Sequence, residues 1–516
     1  MAKRKAINES RRANSATRTG RLLACGLALL GLAGLAIAAP PSGTLSERPW
    51  TEVTSPHFRI YSVLDRERAV ELLRHLEIMR ATLGDASEES TYESGVPTII
   101  VAVDDHDDYV RIGAPDYSGG YFFADLRENA ILIEDSDETH GIQVILNEYA
   151  HYLNRQSSRV RFPRWFEEGS AEYVSHSELH DGAFEYGLAP AQYLATLGFG
   201  TWMPLTDLLE ISDASALAEL DGAMFYAQSW LLVHYLHSRA QSDASLTAAI
   251  TRYARHSGRG LPPAEAFELA FDLDVELLEN DLLKYYLERK FRKRSLPANT
   301  ALPGFSTRVR TMSAAEVRLA LAQMALRFDN VEGAERWFES VLSDNDLRAL
   351  AEAGLGRVAG YRGDIQAANA RFESAIRLMA WDFTIWMDYA QYWAQRVANS
   401  YDPKERVRHA SRLIDALENA LTISEATPEL NSLMGFAYLA KGNDPHEAID
   451  YLEAAAAEAP HDQASRLLLA NAYLYVGRLD DAVRVAEAVL MFEHEPGLIS
   501  GAARDVIAEA LEKQAN

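Results

Sequence analysis

The chain has 516 residues, enough for two or three domains, and a net charge of −25 from 75 acidic against 50 basic side chains. A surface of that sign repels nucleic acid and anionic lipid, and no nucleic-acid-binding motif is present. Cys25 is the only cysteine, so disulfides and thiolate metal sites are excluded.

The N-terminus reads as an export signal. Lys3, Arg4, Lys5, Arg11, Arg12, Arg18 and Arg21 form a basic leader, an apolar run follows from Leu22 to Ala39, and Ala36-Ile37-Ala38 offers small residues for cleavage. An uncleaved membrane anchor is the alternative for the same run. Cys25 precedes most of that run, so it is not a lipid-attachment site, and Arg11-Arg12 is a poor twin-arginine match. Removing residues 1–38 takes away seven basic residues and one acidic one, Glu9, which moves the net charge from −25 to −31 and leaves no cysteine.

Strands and helices mix in the first half. Phe58–Val63, Thr98–Val103, Tyr117–Phe123 and Ala130–Ile133 are β-rich runs, and Arg66–Leu83 has helical periodicity. Asp135–Thr139 is an acidic helix start, and Ile142, Ile145, Tyr149 and Tyr152 then recur at helical spacing. Pro163 marks a break before a second helix near Trp165, and residues 203–290 read as helical. Pro297 and Pro303 place a linker over 296–311, between a first domain of 45–295 and a second of 312–516.

The chemistry-bearing stretch is Asn147-Glu148-Tyr149-Ala150-His151, followed by Trp165-Phe166-Glu167-Glu168-Gly169-Ser170-Ala171-Glu172-Tyr173. Residues i and i+4 share a helix face, so two histidines in His-Glu-x-x-His point at one zinc ion. The intervening glutamate takes a proton from metal-bound water, and a third ligand arrives from elsewhere. Here Glu148 keeps the base, His151 the second ligand, and Glu168 is the natural third. The first histidine is replaced by Asn147, which offers only a neutral amide oxygen where zinc prefers imidazole, thiolate or carboxylate. His140 lies seven residues earlier, roughly 10 Å along the axis; His176 and His180 are the loop histidines nearest in sequence. Taken singly, Glu148 and His151 also read as a helix surface pair, and Trp165 and Tyr173 as core aromatics.

The block from Trp165 to Tyr173 resembles the glutamate-ligand segment of gluzincin metallopeptidases, nearest the peptidase-MA-like group of bacterial envelope proteins. Ser55-Pro56-His57-Phe58-Arg59-Ile60-Tyr61, after Trp50, resembles that group's first strand. The resemblance covers roughly residues 48–290. It implies Glu148 as general base, His151 and Glu168 as zinc ligands, Glu172 as a carboxylate behind them, and Tyr226 as the tyrosine that steadies the oxyanion. It also implies that the last strand before the motif helix is a sheet edge able to bind an extended peptide. Asn147 departs from the family at the first ligand.

The second half carries a period of 34 to 35 residues. Leu355-Gly356, Gly363, Ala368, Phe372 and Ala375 follow one unit marked by Leu321-Ala322, Ala334 and Phe338; Met434-Gly435, Gly442, Ala448 and Leu452 precede Leu469-Ala470, Gly477 and Ala482. This resembles the tetratricopeptide repeat, with 381–427 a divergent unit and Leu498–Lys513 a capping helix. Such arrays bind peptides or proteins on a concave surface; Trp381, Trp386 and Trp393 read equally as aromatic anchors or as core.

The reading is an α+β, gluzincin-like metallopeptidase domain followed by an all-α tetratricopeptide solenoid, exported to a bacterial periplasm or envelope. Its zinc chemistry is impaired or lost at Asn147, and the repeats recruit a protein partner or substrate. The alternative is a pseudopeptidase that binds proteins or assists assembly without catalysis. Membrane association is expected only through an uncleaved N-terminal anchor.

Overall fold

A computed structural model describes residues 45–86, 98–116, 118–136, 138–157, 162–180, 182–211, 222–240, 245–297, 307–442, 444–492 and 497–515. The leader and its cleavage motif lie outside them, as does Tyr117. Among the described residues no helix is long and apolar enough to cross a membrane. The chain divides into two compact units, one of Gly43–Ala320 with Arg327–Asp329 and one gathering Leu321–Leu326 with Asn330–Asn516.

The first unit is α+β. Its main sheet holds β1 (Thr51–Thr54), β2 (Phe58–Ser62), β3 (Thr98–Val103), β4 (Gly120–Phe123) and β5 (Asn129–Glu134). A second sheet is built from β6 (Ser177–His180), β7 (Ala183–Tyr186) and β8 (Arg294–Pro297), and β9 (Arg308–Thr311) returns to the first, whose order is β4-β5-β3-β2-β1-β9. β2, β3 and β5 run parallel, while β4 turns back antiparallel on β5. The edges are therefore β4 and β9. The last strand before the motif helix, expected at the edge, is β5 and lies inside, because it pairs with β3 on one side and β4 on the other.

Residues 307–311, read from the sequence as the end of a linker, instead add β9 to β1 with Val309 opposite Val53. Val53 is fully buried, and that pairing extends the core face of the sheet.

Helices cover the face where Val53, Ile60, Ile100 and Ile131 point. α1 (Arg66–Ala86) supplies Leu72, Leu73 and Leu76, which are wholly buried. α2 (His106–Ile112) is short and capped by Asp105. α3 (Glu138–Ser157) buries Ile145, Leu146, Tyr149 and Tyr152, the helical stripe the sequence carried. Phe58 meets Tyr149 edge-on at 5.0 Å, and Phe122 lies 5.5 Å from Tyr152, so aromatic contacts seat α3 on the strands. Its N-terminal approach is pinned by a buried ion pair: Arg68 of α1 donates Nε and an Nη to the two oxygens of Asp135, both at 2.7 Å.

α4 (Arg164–Ser175) follows, starting right after Pro163 and burying Trp165, Ala171 and Tyr173 in the core. α5 (Ala191–Phe199) and α6 (Leu205–Glu210) lead to α7 (Gly222–Ala240), apolar nearly all round and central to the unit. α4 and α7 approach so closely at Gly169 that an added Cβ would stand 2.4 Å from the Ser229 carbonyl oxygen. α8 (Ser245–Gly258), α9 (Pro263–Phe271) and α10 (Val275–Glu288) complete the helical stretch expected over 203–290.

After α11 (Ala314–Arg327), the second unit is a series of helix pairs. α12 (Val331–Val341) precedes the pairs α13 (Arg348–Tyr361) with α14 (Ile365–Leu378), and α15 (Phe383–Ala398) with α16 (Pro403–Leu421). α17 (Pro428–Lys441) with α18 (Pro445–Glu458), and α19 (Gln463–Val476) with α20 (Leu479–Leu490), follow before a last helix, α21 (Leu498–Ala515). Asp364, Asp382, Asp402, Thr427, Asp444 and Asp462 cap these helices through side-chain oxygens.

Small residues recur where helices meet. A Cβ on Gly354 would stand 2.3 Å from the Phe338 ring, one on Gly356 2.9 Å from Phe372, and one on Gly435 2.4 Å from Leu452. That is the physical origin of the repeat register. Among Trp381, Trp386 and Trp393, Trp393 is core, Trp386 donates its indole N–H to the Ala380 carbonyl at 2.8 Å, and Trp381 is 72% exposed.

Candidate functional site

Asn147, Glu148 and His151 fall on α3, while Glu168 and Glu172 fall on the facing α4. The spacing i, i+1, i+4 on the first and i, i+4 on the second turns both sets toward the same seam. β4 walls the seam at Gly120, where a Cβ would meet Val144 at 2.1 Å and lie 3.5 Å from Glu148 Cγ. The collision with Val144 is why only glycine lets the edge strand pack this closely on α3.

Two of the expected ligands come together. His151 Nε2 stands 3.4 Å from Glu168 Oε2, both side chains 15% exposed. Donors bound to one tetrahedral zinc at about 2.0–2.2 Å stand roughly 3.3 Å from each other, so this pair has the right separation. Burial disfavours the imidazolium of His151. The Glu168 hydrogen bond and the carboxylates of Glu168, Glu148 and Glu167 outweigh it, and its pKa lies above the ordinary histidine value.

The rest of the set does not complete a zinc site. Asn147 donates from Nδ2 to Glu172 Oε1 at 3.1 Å. Its amide serves the neighbouring glutamate. The Arg164 guanidinium lies 3.3 Å from Glu168 Oε1, a cation already against the carboxylate a metal would use. Among the described residues no group of three or more His, Asp or Glu side chains is set to hold a metal ion. The residues present thus offer two donors in register and a poor third, and do not fit a tightly held zinc.

Glu172 is a buried carboxyl. Burial pushes it up to about 7, against a hydrogen bond from Tyr193, while Glu168 and Glu148 add to the rise. His176 closes its other side, with Nδ1 2.9 Å from the Glu172 carbonyl and 3.4 Å from Oε2. His176 is therefore turned to Glu172 rather than into the place of the missing ligand. His180 is exposed on β6, and the side chain of His140 lies outside the described residues.

Tyr226, on α7, is hydrogen-bonded to Arg164 and feels the charges of Glu168 and Glu172; burial, first of all, raises its pKa. Arg164 thus links Tyr226 to the Glu168 carboxylate. Sequence reasoning missed Arg164 and Tyr193. Arg164 had a signal, standing four residues before Glu168 at the spacing of a helical ion pair. Tyr193 had none, since α5 brings it back from twenty-one residues beyond Glu172.

Residues 441–498 match the tetratricopeptide-repeat family. Among solved structures, the chain is similar to a thermophilic tetratricopeptide-repeat protein of Thermus thermophilus, at 20% identity over 38% of this chain and 99% of that one, TM-score 0.31. It is also similar to yeast Tom70, at 12% identity over 72% of this chain and 82% of that one, TM-score 0.31. A third is the signal-transduction ATPase with a tetratricopeptide-repeat sensor from Pyrococcus horikoshii, at 13% identity over 89% and 79%, TM-score 0.30. No curated protein matches the chain. A tetratricopeptide repeat, expected from the 34-residue period, is present over residues 441–498, and repeats of this kind generally mediate binding of protein partners.

Proposed function

We propose that this chain is a non-catalytic protein-binding factor: its repeats recruit a protein partner, and its α+β unit is a metallopeptidase-like domain of gluzincin descent that has lost its metal chemistry. The observation that carries the reading is the pairing within the seam. Asn147 donates to Glu172 and Arg164 covers Glu168, so the side chains that would hold zinc satisfy one another. The leader supports export to a bacterial envelope, where a cysteine-free mature chain is indifferent to oxidation.

The second reading, a peptidase with a weakened site, draws on the 3.4 Å separation of His151 and Glu168 and on Glu148 beside them. Hydrolysis of an unfolded protein substrate by the purified chain in added zinc separates the two. Proposed scaffold behaviour gives no turnover that Glu148→Gln removes; turnover lost in Glu148→Gln establishes the peptidase.

A further inference from the structure

The opposite face of the main sheet carries a feature that neither the repeats nor the seam uses. Cross-strand register sets Tyr61, Glu52 and Arg310 in one row and Arg59, Thr54 and Arg308 in the next, across β2, β1 and β9. Val53 and Val309 point to the core, so by strand alternation these six share the other face. In a chain of net charge −25, three guanidiniums gather on two strands, Arg59 on β2 and Arg308 and Arg310 on β9, to either side of Glu52 on β1. They line a cavity of about 720 Å³, to which Ser55 and Thr307 add hydroxyls.

The cations are unequally satisfied. Arg310 is ion-paired with Glu52 and bonds Glu316 at 2.7 Å. Arg59 shares Glu52 at 3.4 Å and hydrogen-bonds Tyr61. Arg308 has no carboxylate partner among the described residues. The arginines are held in place by neighbours that do not neutralise them all, which leaves a positive concavity with hydroxyl donors at its rim.

We infer that this pocket binds a small phosphorylated anion carrying two or more negative charges. Guanidinium forks match phosphate oxygens two at a time, and the three arginines exceed Glu52 and Glu316 by one positive charge, with Arg308 left for the anion. β9 makes the site: without it only Arg59 would remain.

The test is calorimetric titration of the purified chain with inorganic pyrophosphate at low ionic strength. One saturable site is expected, weakened about tenfold or more in Arg308→Gln and in Arg59→Gln, and tightened in Glu52→Gln, with circular dichroism unchanged in each. Absence of saturable binding, or binding indifferent to Arg308→Gln and Arg59→Gln, overturns the inference. Sedimentation with phosphatidylglycerol vesicles that depends on Arg308, without pyrophosphate binding, also overturns it by assigning the arginines to a membrane surface.

Discussion

The amide nitrogen of Asn147 lies 3.1 Å from Oε1 of Glu172, one helix across the seam. This contact converts a position that would face a metal into the support of a buried carboxylate. Asn147→Leu deprives Glu172 of that donor in a site only 15% exposed. We expect a loss of about 1–3 kcal/mol, read as a lower urea midpoint with unchanged slope.

The motif helix is anchored before it begins. Arg68 grips both oxygens of Asp135 at 2.7 Å, and the side chains are 8% and 1% exposed. Removing one partner strands the other charge in the core. Arg68→Ala is expected to cost about 3–5 kcal/mol in denaturant unfolding, far more than alanine at the exposed Arg66.

Gly169 is a packing requirement of the α4–α7 crossing. An alanine there would stand 2.4 Å from the Ser229 carbonyl and 2.8 Å from Val233, where backbone must move to admit it. Gly169→Ala should destabilise the first unit by about 2–4 kcal/mol despite better helix propensity, measured by thermal unfolding.

Acid sensitivity has a defined source in α7. His234 Nε2 donates to the Gly187 carbonyl at 3.1 Å, and Nδ1 accepts from Tyr285 at 2.8 Å, so the neutral ring is satisfied on both sides. Burial lowers its pKa to about 4. Between pH 4 and 6.5 the unfolded chain binds a proton that the folded chain does not. Stability is thus fully present above pH 6.5 and falls as pH drops toward 4, by up to about 3 kcal/mol from this residue. His234→Gln should flatten that part of the stability-against-pH curve; an unchanged slope would place the acid sensitivity elsewhere.

Much of the architecture was legible in local pattern. The stripe Ile145, Tyr149, Tyr152 marked α3, Pro163 marked the start of α4, and paired small and large residues marked the repeats, because each signal lies within one element or its neighbour. The missed features depend on distant pairing. Arg308–Thr311 has one apolar residue in four and becomes a strand only by finding β1, more than 250 residues earlier in the chain. The β6–β7 hairpin was findable: Leu179 and then Phe184 and Tyr186 flank Asp181-Gly182, a strong two-residue turn signal. In the seam, the order of Asn147, Glu148, His151, Glu168 and Glu172 was readable from helical spacing, but what each bonds was not, since Arg164 and Tyr193 redirect the carboxylates.

Zinc content of the purified chain after exhaustive dialysis, by elemental analysis, tests the central claim most directly, with Asn147→His and His151→Ala beside it. Far less than one zinc per native chain is expected, with Asn147→His retaining more than the native protein because it restores the strong donor missing beside His151 and Glu168, which stand in register. One zinc per native chain, lost in His151→Ala, would contradict it and return the seam to the metallopeptidases.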